Sequence, residues 1–246
     1  MVDPLVQLTD EERHLQAESN VLVTLRALGG MVETSPGVGW VFWEKEERGQ
    51  RGRGHCGVGV AMVNVKESTG ELEAYRGGGE LLFGAEEPRF GSFSSIVEGD
   101  FIYLWGHHAN DVLLARVPAR KPWDRGAYSF WNGEAYVEEW RAATPVLKDV
   151  QHGAVFKSGL FGAGKEWVFV GSSRWADDQV MMGAAASLEG PWELTKVCTV
   201  EGVVGILPHQ WVYDEACGKL MLSWSERKPG GVVAGRLRLE MGRFKS

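Results

Sequence analysis

The sequence predicts an all-β protein made from a repeated antiparallel sheet, a β-propeller of four to five blades with four strands in each. Two observations predict it. Short apolar stretches alternate with polar residues at the two-residue period of strands and stop at Gly, Asp or Pro turn signals. The pattern also recurs, with 58 residues from Ser94 to His152 and 57 from His152 to His209, close to known propeller repeats once loops are added. Composition agrees, because 33 Gly, 11 Trp and 9 Pro in 246 residues suit tight turns with aromatic rings packed between sheets.

Taken in order, Thr9-Asp10-Glu11-Glu12 has the spacing of a capping box and predicts a short helix. Residues 21–26 read as a strand that completes the last unit and ties the chain ends together. The first unit, 22–86, contains strands at 39–44 and 56–65, with 72–75 following. In the second unit, 90–140, residues 92–97 run into the Glu98-Gly99-Asp100 turn, 101–105 return, and 112–117 end at Pro118. Residues 128–131 and 135–140 offer its outer strand. The third unit, 150–196, repeats the order at 152–156, 166–171, 179–187 and 190–194. The fourth, 205–245, has strands at 209–213, 219–225 and 232–239. Together these form a single domain, 1–246. Closing the sheets into a ring removes open strand edges; a two-sheet sandwich is the competing arrangement.

Charge and motifs exclude several classes. A formal net charge of -7 gives no footprint for nucleic acid. The run Arg48, Arg51, Arg53 is broken by glycine and reads as a solvated loop. Cys56, Cys198 and Cys217 have no metal-ligand spacing and read as buried thiols. No metal and no cofactor are expected, since there is no P-loop, no dinucleotide fingerprint and no G-x-S-x-G. No apolar stretch is long enough to span a membrane and no signal sequence opens the chain, which places it in the cytoplasm as written, or outside the cell if an N-terminal piece is missing. The oligomeric state is left open.

Three motifs carry a resemblance. Val112-Leu-Leu-Ala-Arg-Val-Pro118 followed by Tyr128-Ser-Phe-Trp131-Asn-Gly133, then Ser187-Leu-Glu-Gly-Pro-Trp192, then Leu220-Met-Leu-Ser-Trp-Ser-Glu226, stand in the order found in glycosidase-like five-bladed β-propeller proteins. The likeness is to an uncharacterised-domain family that includes arabinan-cleaving enzymes, and it covers about residues 38–226. The resemblance implies a propeller. It does not carry over the catalytic carboxylates, because the Asp-rich strands that resemble "D-G-G" and "F-G-D-T" are absent, as in a shortened member.

In an antiparallel blade the start of the first strand and the end of the second lie at one end of the sheet. That rule puts Ser94, His152 and His209 at first-strand starts, and Glu44, His107, Arg174 and Glu226 just past second-strand ends. Glu44 and Glu226 are the candidate acid and base of glycoside cleavage, with His152 and His209 as candidate proton carriers or ligand donors. Trp43, Trp105, Trp175 and Trp211 are candidate stacking platforms near the rim, with Ser94, His107 and Arg174 as ligand contacts. Each has a plainer reading: a solvated or paired carboxylate, an imidazole bonded to neighbouring backbone, a core indole. The expected function is binding of a small polar or carbohydrate ligand in an axial funnel, possible hydrolysis included. The alternatives are a non-hydrolytic biosynthetic enzyme or binding protein for an apolar metabolite, and a non-catalytic interaction scaffold.

Overall fold

A computed structural model describes residues 4–49, 52–77, 81–174, 177–214, 219–228 and 231–240; residues 204, 210–214, 219, 225–228 and 231–240 are described by their backbone alone. The structure is 53% strand and 8% helix, and among the described residues every sheet pairing is antiparallel. The chain divides into two compact units, residues 1–109 with 113–144, and residues 110–112 with 145–246.

The first unit opens with helix α1 (Asp10–Ser19), whose capping box forms as predicted: Glu12 N–H donates to Thr9 Oγ1 and Thr9 N–H donates to Glu12. Its first sheet holds β1 (Leu22–Arg26), β2 (Met31–Ser35), β3 (Val38–Gly49), β4 (Gly52–Val65), β5 (Leu72–Tyr75) and β6 (Phe83–Gly84). The expectation that residues 21–26 complete the last sheet is corrected. β1 pairs with the second half of β3, from Leu22 opposite Arg48 to Arg26 opposite Glu44, while β2 covers the first half. The reason lies in the length of β3, which β2 alone leaves half unpaired. The basic run is corrected too: Arg48 and Arg53 face each other across the β3–β4 hairpin.

The second sheet runs β7 (Ser94–Glu98), β8 (Phe101–His108), β9 (Asp111–Pro118), β10 (Ser129–Trp131) and β11 (Tyr136–Val137). Its outer part is shorter than expected, since Trp140 opens a 3-10 turn. Trp40, Phe42, Val58, Phe83, Phe90, Ile102, Leu104 and Phe130 form one core between the two sheets. Val41, Trp43, Ala61 and Val63 form another on the opposite face of the first sheet, with Val6, Leu25 and Ala74 packed against it. β3 is therefore covered on both faces, which is why its sequence reads as a continuous apolar run rather than an alternating one.

In the second unit, β12 (Leu147–Lys148) pairs with Asp111 and Val112. β13 (His152–Lys157), β14 (Trp167–Ser172), β15 (Gln179–Ala185) and β16 (Glu193–Thr199) form a four-stranded meander. The fourth strand begins three residues later than the 190–194 reading, because the Gly190-Pro191 segment makes a turn closed by Ser187 Oγ donating to Gly190 O and Pro has no N–H for a ladder. The last sheet is β17 (Val203–Asp214), β18 (Lys219–Lys228) and β19 (Gly231–Glu240). Phe156, Val168, Val170, Met182, Ile206 and Leu220 join these two sheets in a common core.

Candidate functional site

Successive residues of β3 point to opposite faces, so Trp40, Phe42, Glu44 and Glu46 share one face and pass from apolar core to charge within a single strand. Glu44 is 4% exposed and Glu46 is 8% exposed. Buried carboxylates require compensating charge, and four side chains gather to supply it or to share the space. Arg26 of β1 reaches both: its Nη2 lies 3.5 Å from Glu44 Oε2 and also bonds Glu46. Arg53 of β4 donates its Nε–H to Glu46 Oε2 at 2.6 Å. Arg89 places Nη1 3.3 Å from Glu44 Oε2, and His55 places Nδ1 3.8 Å from the same oxygen.

Two local features of the chain make this gathering possible. Between Lys45–Gly57 and Glu46–His55 the β3–β4 register shifts, leaving Cys56 unopposed. Such a bulge re-aims side chains, and here it sets His55 opposite Glu46. Gly57 adopts φ +146°, and a Cβ there would lie 2.2 Å from Phe83 O of β6, so no larger residue fits. Arg89 is held by its backbone, whose N–H donates to His107 O at 2.9 Å. The 89–90 backbone crosses β8 so closely that a Cβ on Gly106 would lie 2.4 Å from it.

His55 has neither ring nitrogen hydrogen-bonded, although both are buried. Burial pushes its pKa below the ordinary value; the charge of Arg89 adds to that, and the carboxylates of Glu44 and Glu46 offset it in part. At the same hairpin a groove of about 670 Å3 is lined by Arg53, His55, Cys56, Glu47, Ser19 and Val21 among others.

On the other face of the first sheet Glu12 is held by largely buried cations. Arg76 binds Glu12 with both terminal nitrogens, at 2.6 and 3.0 Å, and Lys45 Nζ lies 3.3 Å from Glu12. The Arg76 guanidinium also covers the Trp43 ring, 4.0 Å from its centroid. Burial opposes ionisation of Glu12, yet the Arg76 hydrogen bonds, the Thr9 N–H and Lys45 outweigh it and hold its pKa at about 2.

The sequence-predicted residues fall in both units. In the first, Glu44 is in mid-strand, not past a strand end, because β3 continues to Gly49. Ser94 opens β7 opposite Trp105 and is buried. Trp43 and Trp105 are wholly buried, so neither ring presents a face to solvent. His107 lies within β8, its ring edge-on to Phe93, and it connects to Glu44 through Arg89.

In the second unit, His152 opens β13 and its N–H donates to Ser172 Oγ at 3.2 Å. His209 is not a strand start, since β17 begins at Val203; its Nε2 lies 2.8 Å from Ser223 Oγ. Arg174 follows β14 and donates its Nε–H to Asp149 at 2.6 Å in an exposed pair. The backbones of Trp211 and Glu226 lie in β17 and β18, but their side chains, and the whole of Trp175, lie outside the described residues. Cys56 and Cys198 are half-buried free thiols, both with pKa raised by burial.

Sequence reasoning passed over Arg26, Glu46, His55 and Arg89. A readable signal existed in Glu44-Lys45-Glu46-Glu47, where continued strand alternation places Glu44 and Glu46 on the face shared with Trp40 and Phe42. Among the described residues no group of three or more His, Cys, Asp or Glu side chains is arranged to hold a metal ion, and no helix is long and apolar enough to cross a membrane.

No family model matches the sequence, and no curated protein matches it. Among solved structures the chain is similar to a crystal structure of a provisionally designated hydrolase from Bacteroides ovatus, at 16% identity and a TM-score of 0.61, over 91% of this chain and 59% of that one. The likeness is one of fold. Weaker likeness extends to a GH43_1 enzyme from Xanthomonas citri, with 10% identity, a TM-score of 0.39 and coverage of 95% and 94%. A bifunctional GH43-CE protein from Bacteroides eggerthii gives 9% identity, a TM-score of 0.35 and coverage of 88% and 33%. This chain thus spans less than two thirds of the Bacteroides ovatus protein's length.

Proposed function

We propose that this chain is a glycosidase-like β-propeller protein that binds a carbohydrate or similarly polar ligand at the Glu44 cluster. The observation that carries the proposal is a buried imidazole with no hydrogen-bond partner beside a buried carboxylate, ringed by guanidinium groups that reach solvent. Native proteins seldom leave such groups unpaired, and a ligand hydroxyl is the kind of group that pairs them. The resemblance of the sequence to glycosidase-like propeller proteins agrees with a sugar as that ligand.

Binding is better supported than cleavage. Glu44 and Glu46 are two residues apart on one face of β3, and both carboxylates reach Arg26 Nη2. Cleavage, however, needs one carboxyl that donates a proton, and carboxylates that engage guanidinium N–H groups accept hydrogen bonds instead. The test is a thermal-shift and calorimetric screen of the chain against neutral and acidic oligosaccharides, repeated with Glu44→Gln. A saccharide that binds the native protein and loses about tenfold or more in affinity in the variant supports the site. A panel in which no saccharide binds, or one that Glu44→Gln binds equally well, refutes it.

A second reading rests on a separate feature of the first unit, a groove of about 470 Å3 lined by Trp40, Met62, Tyr75, Leu81 and Trp123 among others. Trp123 is 57% exposed and its ring lies 5.3 Å from that of Trp40. That surface suits an apolar metabolite. Apolar compounds in the same screen, with Trp123→Ala as the control, separate the two readings.

A further inference from the structure

The Glu44 cluster is layered by exposure. Its carboxylate side chains are 5% and 10% exposed, whereas those of Arg26, Arg89 and Arg53 are 31%, 39% and 48% exposed. Three guanidinium groups reach solvent above these two carboxylates, with Glu47 at 36% exposure on the same hairpin, within a chain whose formal net charge is -7. Below that layer lies His55, its side chain 10% exposed and both ring nitrogens unpartnered. The 3.8 Å between its Nδ1 and Glu44 Oε2 is too long for a hydrogen bond.

An ion-pair network that served stability alone would bond its imidazole, and this one does not. A guanidinium has five N–H donors, and the contacts to Glu44 and Glu46 use only some of them on each arginine. Forked N–H donors match the paired oxygens of a carboxylate or a sulfate. A neutral imidazole supplies one donor and one acceptor, the complement of a sugar hydroxyl.

We infer that the ligand is an anionic saccharide, whose carboxylate or sulfate group meets the Arg26, Arg53 and Arg89 layer while an adjacent hydroxyl bonds His55. The inference rests on the carbohydrate reading above and narrows it. A neutral sugar offers the guanidinium donors no anionic partner, whereas an acidic one fills them.

The experiment is calorimetric titration of the full chain with an oligogalacturonide, a sulfated galacto-oligosaccharide and a neutral galacto-oligosaccharide, at low and at high salt. An acidic saccharide is expected to bind about tenfold or more tightly than the neutral one, with the advantage shrinking as salt rises. Arg53→Gln is expected to remove that advantage, bringing the affinity for the acidic saccharide down to that for the neutral one in the same variant. Arg53 lies at a hairpin end with half its side chain in water, so the variant is expected to fold, and its unfolding transition verifies this. Carboxylated against sulfated ligand decides which anion is used. Equal binding of acidic and neutral sugars, or an acidic preference that survives Arg53→Gln, overturns the inference and leaves the carbohydrate reading standing. Binding of no saccharide overturns both.

Discussion

Glu12 and Glu44 serve opposite faces of the same sheet, and the contrast between them separates a structural ion pair from a candidate ligand site. Their side chains are almost equally buried, at 8% and 5% exposure, and each engages cations. The partners differ. Arg76 and Lys45, which hold Glu12, are 8% and 18% exposed; Arg26 and Arg89, which hold Glu44, are 31% and 39% exposed. Each cluster leaves one guanidinium Nε unpartnered, that of Arg76 or of Arg26, so a stray donor is not what distinguishes them. Exposure of the cations and the unbonded His55 do. Burial of a carboxylate alone therefore says little about function; the state of its partners says more.

The strongest way to break the comparison is Glu12→Ala. It leaves Arg76 buried without a counter-charge and removes half of the α1 capping box, and it is expected to cost about 3–5 kcal/mol in urea unfolding. A loss below about 1 kcal/mol would show that the Glu12 cluster is not a structural element. Acid probes the same group. With a folded pKa of about 2 against an ordinary 4.5, the Glu12 contribution is complete above about pH 4.5 and is lost as pH falls toward 2. Denaturation midpoints measured from pH 6 to pH 3 should fall less steeply in Glu12→Gln than in the native protein.

Glu44→Gln sharpens the contrast from the other side. Water can take over the released donors of Arg26 and Arg89, so the expected stability cost is about 1–2 kcal/mol, well below that of Glu12→Ala, together with loss of ligand affinity. A larger stability cost with intact binding would make Glu44 structural. Arg174→Ala gives the baseline. Its pair with Asp149 has side chains 72% and 60% exposed, and removal should change stability by less than about 0.5 kcal/mol.

Much of the strand layout was legible because alternation and turn signals are local. The capping box at Thr9, the strand from Phe101 and the stop near Pro118 all lie where those signals place them. What was not legible depended on partners distant in sequence. Nothing near residues 22–26 says that they will pair with 44–48; that follows from the length of β3, which was read as ending at Glu44. Stopping the strand there also hid Glu46 and turned Arg53 into loop. His55 was harder still, since its direction is set by an extra residue in the ladder. His152 and His209 recur at a regular spacing, yet each has a serine hydroxyl within reach, on its backbone N–H or on its ring.

The unopposed Cys56 makes hairpin length part of the site. Shifting a strand by one residue exchanges its two faces, so removing a single residue between Glu46 and Cys56 would restore a regular ladder by bringing the thiol over Glu46 and sending the imidazole to the side of Glu47. Changes of two residues at the tip would preserve the facing. The chemistry of this end is thus tied to the parity of the turn as well as to which amino acids it contains.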